Sequence, residues 1–158
     1  MADFRIRNKD IINKIIFPIF DKYLLLTSKY FNYLKFKKAY QIMVNSNISN
    51  EEKYNLLIEL KGSTIPEKYI SPVWKKISYN IKSTNDAKYI MSKYWLIGFT
   101  EAEGSFYLVK KSANRLVHRF EITQKLDEIV LECITHILGI SYRKKIHIIQ
   151  LKQLIQEQ

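Results

Sequence analysis

One cysteine, four glycines and three prolines are few for a chain of 158 residues, and acidic side chains are scarce as well. A single thiol, Cys133, excludes a disulfide framework or a cysteine-built zinc site within one chain, and its place in a helical apolar pattern makes it a buried thiol. His118, His136 and His147 lack the spacing of metal ligands and read as packing or surface groups. No apolar run is long enough to span a membrane, so no membrane partner is expected. The start, Met1-Ala2-Asp3-Phe4-Arg5, is polar and lacks the apolar core of a secretory leader; nor is it arginine- and serine-rich like a transit peptide. The shortage of acids leaves 15 carboxylates against 26 lysines and arginines, a formal charge of +11 and a pI near 9.6. That balance points to a polyanionic partner, with a merely soluble basic domain as the plainer alternative. Eleven tyrosines and eight phenylalanines interleave with the basic residues and favour nucleic acid.

Hydrophobic residues make up 47% of the chain, enough for a core, and the length suits one ordinary domain or parts of two. The most informative stretch is 92–104. Ser92 is placed to cap a helix, its hydroxyl accepting from an unpaired amide of the first turn. Only Gly98 interrupts the helix formers up to Glu103, and Gly104 is expected to end the helix in a left-handed conformation. Gly98 and Ala102, four residues apart, leave one helix face nearly flat, open to close approach by a second backbone. Glu101 and Glu103 sit in the last turn, where the helix dipole disfavours negative charge unless a cation or water compensates. An amphipathic core helix with two solvated acids is the plainer reading of the same spacing.

Taken in order, Phe4-Arg5-Ile6-Arg7 alternates like a half-buried strand. Asn8 caps a helix carrying Ile11, Ile12, Ile15 and Ile16, and Pro18 is expected to limit it, leaving residues 19–23 as a packed loop. Thr27 or Ser28 begins a further helix with an apolar stripe of Phe31, Leu34, Ala39, Ile42 and Met43, and lysines crowd its other surfaces. Ser49 and Glu52 form a capping box before a short helix through Leu60. Residues 62–90 carry Gly62, Pro66, Pro72 and the polar cluster at 83–86, long for an unstructured connection. Ile65, Tyr69, Ile70, Val73 and Trp74 suit a segment lying against the protein surface.

After the 92–104 helix, strand parity is informative. Phe106 and Leu108 share one face with Phe120 and Ile122 on the next strand, and these should pack against helices. The opposite face carries Ser105, Tyr107, Val109 and Lys111, with Val117, Arg119, Glu121 and Thr123 on the partner and a turn at 111–115 that contains Arg115. Basic, aromatic and small polar groups on one sheet face can lie along a DNA major groove, where base edges distinguish all four pairs; a solvated sheet face is the alternative. Residues 142–150 read as a strand and 151–158 as a helical tail, leaving one sheet edge incomplete.

Leu96-Ile97-Gly98-Phe99-Thr100-Glu101-Ala102-Glu103-Gly104 resembles the motif of the LAGLIDADG homing endonucleases and intron maturases. Ser105-Phe106-Tyr107 resembles the family's first strand, Phe120–Lys125 the end of its second, and residues 127–138 its next helix. Phe4–Asn8, 15–23 and 26–31 look like the tail of such a domain. The resemblance implies an α+β fold of αββα units with an antiparallel DNA-binding saddle. It divides the chain into the end of a first domain (1–61), a linker (62–91) and the start of a second domain (92–158). It also implies metal-dependent double-strand cleavage of DNA at an intron-insertion site.

Phosphodiester hydrolysis needs an activated water, relief of charge on the leaving oxygen, and alignment. Magnesium serves all three and prefers hard oxygen ligands. Matched onto the family motif, Glu103 is the metal-binding acid, and Gly98 and Ala102 form the contact with a second motif helix. Gln124 matches a polar position that orders active-site water, Lys29 or Lys22 is the basic partner, and Glu101 either supports the site from behind Glu103 or is structural. Two departures matter. The chain holds one acidic motif, and 141–158 resembles the family poorly. Either two copies associate, or the sequence is a fragment or a repurposed copy. A non-cleaving binder of intron or ribosomal RNA is therefore the alternative. Heavy use of Ile, Lys, Asn and Tyr suggests an AT-rich genome such as that of fungal mitochondria, where the family is common and organellar synthesis needs no import signal.

Overall fold

Side-chain capping accounts for most helix starts in the computed structural model, which describes residues 4–140, 142–145 and 148–155. The chain forms two units, Met1–Ser71 and Pro72–Gln158.

In the first unit Asn8 Oδ1 accepts from the amides of Asp10 (2.9 Å) and Ile11 (3.1 Å), starting α1 (Lys9–Ile11). A π-helical turn, Ile12–Ile16, leads straight into α2 (Phe17–Lys22). Pro18 therefore does not limit the helix, and 19–22 is helical where a loop was expected. The reason lies one residue earlier. The Phe17 amide reaches back to Ile12 O, so the backbone is already widened where the proline ring would crowd the preceding turn. The expected strand at 4–7 also does not form. A strand needs a hydrogen-bonded neighbour, and none of the strands among the described residues includes these positions.

Helix α3 (Lys29–Val44) starts with Thr27 Oγ1 accepting from the Lys29 amide, and α4 (Asn50–Gly62) with Ser49 Oγ accepting from the Glu52 amide. The buried side of α3 is set by Tyr33, with Leu34 and Met43 left exposed, a different stripe from the one expected. Phe17 is the centre of this unit, its ring in edge contact with Tyr33, Phe36 and Tyr40 at 5.1–6.2 Å between centroids. Asp21 ties the cluster. It accepts from the Tyr33 hydroxyl at 2.6 Å and pairs with Lys37 at 2.5 Å. Lys37 and then Tyr33 hold the Asp21 carboxyl below its ordinary value, while burial and then Asp21 raise the Tyr33 phenol. Beyond α4 the chain folds back: Tyr69 packs on Phe31 and Ser71 Oγ donates to Leu25 O.

The second unit begins with a 3₁₀ segment, Pro72–Ile77, that buries Val73 and Trp74. Helix α5 (Thr84–Ile90) is capped by Ser83, and α6 (Lys93–Glu103) by Ser92, whose hydroxyl accepts from Trp95 at 3.1 Å. Strands β1 (Gly104–Ser112) and β2 (Arg115–Gln124) form a hairpin. Helix α7 (Glu128–Leu138) follows, then β3 (Tyr142–Lys145) and β4 (Ile148–Ile155). The sheet is antiparallel with order β1-β2-β4-β3. The expected single strand at 142–150 is thus a hairpin, and the expected helix from 151 continues as strand to Ile155; 156–158 lie outside the described residues. Pairing with the free edge of β2 satisfies backbone groups that a helix there would leave open. Unlike the incomplete edge expected, the sheet continues past β2.

Helix α7 is the apolar centre, burying Ile129, Val130, Leu131, Cys133 and Ile134, and Ile122 of β2 is fully enclosed with them. Helix α5 lies on α7, with Cys133 Sγ 3.6 Å from Ala87 O and Thr84 Oγ1 donating to His136 O. Parity holds along the hairpin, with Phe106 opposite Phe120 and Gly104 opposite Ile122. The helices nevertheless cover only the Ile122 end of that face. Phe106 is 77% exposed and Leu108 60%, contrary to expectation, and Phe106 stacks on Phe120 at 5.0 Å instead.

Gly104 ends α6 in extended backbone (φ −90°, ψ 155°), not the left-handed conformation expected. Glycine is required for a different reason. A Cβ there would lie 2.5 Å from Thr100 O and 2.7 Å from its methyl. Gly104→Ala should destabilise the second unit by about 1–3 kcal/mol, the usual cost of overpacking, measured as a lower urea midpoint. A second expectation concerns Cys133, whose thiol is pushed up to about 12 by burial and then by Glu132, from an ordinary 9.0. The folded protein holds this proton more tightly than the unfolded chain. The contribution is therefore fully present below about pH 9 and is lost as pH rises toward 12. Urea midpoints above pH 9 should fall more steeply for the native protein than for Cys133→Ala.

Candidate functional site

Helix α6 and the hairpin it enters build the site. Inward, α6 buries Leu96, and Trp95 and Phe99 stack with centroids 4.7 Å apart. Outward it shows Tyr94 (86% exposed), Ile97 (60% exposed), Gly98, Glu101 and Ala102. A Cβ at Gly98 would meet nothing within 4 Å, so the glycine–alanine flank is bare among the described residues. Because Gly104 leads directly into β1, Glu103 is held half-buried at the helix–strand junction.

There it lines an open cleft of about 420 Å³ with Ala102, Gly104, Ser105, Tyr107, Glu121 and Thr123. The cleft opens on the sheet face that strand parity assigns to the groove. Ser105 pairs with Glu121, Tyr107 with Arg119 and Val109 with Val117. The Tyr107 hydroxyl donates to Glu121 Oε2, and Thr123 Oγ1 lies 3.5 Å from Glu121 Oε1. Arg119 Nη1 is 3.5 Å from the Tyr107 hydroxyl, its guanidinium carbon 5.6 Å from the ring centroid, within cation–π range.

The structure thus gathers Glu103, Ala102, Ser105, Tyr107 and Glu121 at one place, with Arg119 joined to them through Tyr107. Lys111 falls at the register irregularity between Lys110 and Ser112, and Arg115 begins β2 after a turn of Ala113 and Asn114. Gln124, half-buried, shares the strand parity of the enclosed Ile122, whereas Thr123, of the opposite parity, borders the cleft. Lys29 and Lys22 belong to the first unit, at the start of α3 and the end of α2. Thr123 lies on the face that its parity with Glu121 assigns, and it borders the cleft there. Among the described residues no three His, Cys, Asp or Glu side chains cluster as a metal site. The donors lining the cleft, two carboxylates and three hydroxyls, are nevertheless hard oxygens of the kind magnesium or calcium takes. Also among the described residues, no helix is long and apolar enough to cross a membrane.

Fold and site together define an α+β protein with a carboxylate at a helix–strand junction and a basic, aromatic sheet face beside it. Comparison with known proteins gives the family. The family model described as LAGLIDADG endonuclease matches residues 1–40 and 96–156. A Schizosaccharomyces pombe protein named "Probable intron-encoded endonuclease Cox1-I1b" is 42% identical over 135 residues, covering 85% of this chain and 32% of the relative. A Saccharomyces cerevisiae protein named "Uncharacterized mitochondrial protein RF1" is 38% identical over 111 residues, 69% of this chain and 20% of that one. Among solved structures, I-SmaMI bound to uncleaved DNA target in the presence of calcium ions superposes with a TM-score of 0.72. Its identity to this chain is 26%, over 96% of this chain and 56% of that one. The chain belongs to the LAGLIDADG endonuclease family and has its fold. It spans about a third of the length of the S. pombe relative and just over half of the I-SmaMI chain.

The bare flank separates two effects of one substitution. Gly98→Ala should raise the chain's own stability by roughly 1 kcal/mol through helix propensity, since the added methyl meets nothing. A second motif helix laid on this flank would meet that methyl. Sedimentation of the variant with a second motif-bearing domain should therefore show weaker association.

Proposed function

We propose that this chain supplies one catalytic half of a homing endonuclease that cuts both strands of DNA at an intron-insertion site. The observation that carries this reading is the position of Glu103, in a cleft that opens on the groove-facing side of the hairpin, at the end of a helix with a bare glycine–alanine flank. The flank of Gly98 and Ala102 packs against a matching helix from a second LAGLIDADG domain or a second copy of the chain. That neighbour contributes the second acid. In the same reading, residues 1–61 end a first domain, 62–91 link, and 92–158 begin the next.

Glu103 holds a divalent cation, magnesium in the cell. Such a cation, when bound, lowers the pKa of water and offsets charge on the phosphate. Its charge also relieves the unfavourable placing of a carboxylate at a helix C-terminus. Gln124 orders water at the site. Ser105, Tyr107, Val109, Lys111, Arg115, Arg119 and Glu121 face the DNA groove. The intron-encoded name of the S. pombe relative and the mitochondrial name of the S. cerevisiae one support an organelle-encoded, mitochondrial protein. The alternative of an RNA-holding maturase or ribonucleoprotein component gains no support from these names or from a solved relative bound to DNA.

Cleavage of intronless mitochondrial DNA fragments in magnesium tests the proposal, with the chain used alone and joined to a second motif-bearing domain. Cutting is expected in at least the joined form. Glu103→Gln should lower its rate by about 10²-fold or more, the scale of losing an electrostatic contribution of several kcal/mol, while duplex binding persists. Cutting unchanged in that variant, or binding of intron RNA with no DNA cleavage in either form, would overturn the reading.

A further inference from the structure

The groove-facing side of the hairpin holds one guanidinium whose aim is set by neighbours. Arg119 sits directly across the strand pair from Tyr107, with its Nη1 3.5 Å from the Tyr107 hydroxyl and its guanidinium over that ring. The Tyr107 hydroxyl is in turn anchored on Glu121. Arg119 Nε is buried with no hydrogen-bond partner, so the side chain meets anything approaching the sheet through its terminal nitrogens. Such a group has lost the freedom that a phosphate-binding lysine on a strand end keeps. Held over the Tyr107 ring, the guanidinium presents its terminal nitrogens as a planar fork, which suits two acceptors side by side on one base edge. Of the four bases in the major groove, guanine alone offers two acceptors, O6 and N7, to the planar fork of an arginine.

We infer that Arg119 reads a guanine in the bound duplex, and that Tyr107 and Glu121 are positioning residues that aim it. This deepens the proposed function and rests on its DNA-binding part. It separates Arg119 from the other basic residues of the face: Arg119 determines specificity, whereas Lys111 and Arg115 near the turn hold phosphates.

Selection of duplexes from a randomised pool by the full chain, followed by salt titration of the selected duplex, tests this. The native chain should fix one G·C position. Arg119→Lys keeps the charge but loses the fork, and should reduce discrimination at that position alone by roughly 5- to 150-fold, leaving the salt slope unchanged. Glu121→Gln and Tyr107→Phe should weaken the preference at the same position and at no other, a result that a purely structural role would not give. Lys111→Ala should lower affinity for all sequences alike and reduce the salt slope by about 1. Arg119→Lys retaining every preference of the native chain would overturn the guanine assignment while leaving the DNA reading intact. Normal discrimination in both Glu121→Gln and Tyr107→Phe would overturn the positioning role. Failure of the native chain to bind any duplex would remove the DNA reading and this inference with it. Were Arg119→Lys not to fold, Glu121→Gln, at an open cleft, carries the same comparison.

Discussion

The contact between Gly104 and the carbonyl of Thr100 governs the geometry of the second unit. With no Cβ at position 104, helix α6 passes into strand β1 without a loop, and the last helical residue, Glu103, has its position set by two rigid elements at once. The same junction sets the hairpin register, because Gly104 lies opposite the enclosed Ile122. From that register follow the pairs Ser105–Glu121 and Tyr107–Arg119, and hence the composition of the cleft wall. A functional carboxylate placed on regular elements keeps its geometry better than one on a loop.

Two apolar surfaces of the second unit are bare among the described residues, and they differ in character. The flank of α6 is flat and small-sided at Gly98 and Ala102, suited to a second helix at close range. The far end of the sheet, with Phe106, Leu108 and Leu116, is bulky, and among the described residues the Phe106–Phe120 stack shields part of it. Burial elsewhere lies on α7, on Ile122, and on Trp74, Ile81 and Met91 ahead of α6, so the core does not depend on either surface. In the first unit the organisation is different: aromatic edges around Phe17 and the Tyr33–Asp21–Lys37 network take the place of an aliphatic core.

Much of this was legible in the residues, and the exceptions have physical causes. Caps at Asn8, Ser49 and Ser92 are local chemistry and are found where a short polar side chain precedes a helical run. Strand parity placed Tyr107, Arg119 and Glu121 on one face because side-chain alternation needs only the register of one hairpin. Gly104 was recognised as special but for the wrong reason, since backbone freedom and close approach leave the same glycine in a sequence. Pro18 misled because a π turn ahead of it is not written in any residue type. The β3–β4 hairpin was missed because pairing with β2 is a long-range event that local propensity does not contain. Lys29 rests on family resemblance, and among the described residues no hydrogen bond or charge contact of its side chain sets it apart from its neighbours.

The central claim is that Glu103 presents its carboxylate to a divalent cation in the cleft beside a bound duplex. Manganese substituted for magnesium tests this directly by paramagnetic broadening of amide resonances in the DNA-bound chain. The account predicts that Gly104, Ser105, Tyr107 and Thr123 broaden first, and that Glu103→Gln abolishes the effect at the same manganese concentration. Broadening centred away from β1 and β2, or unchanged in the variant, would contradict it.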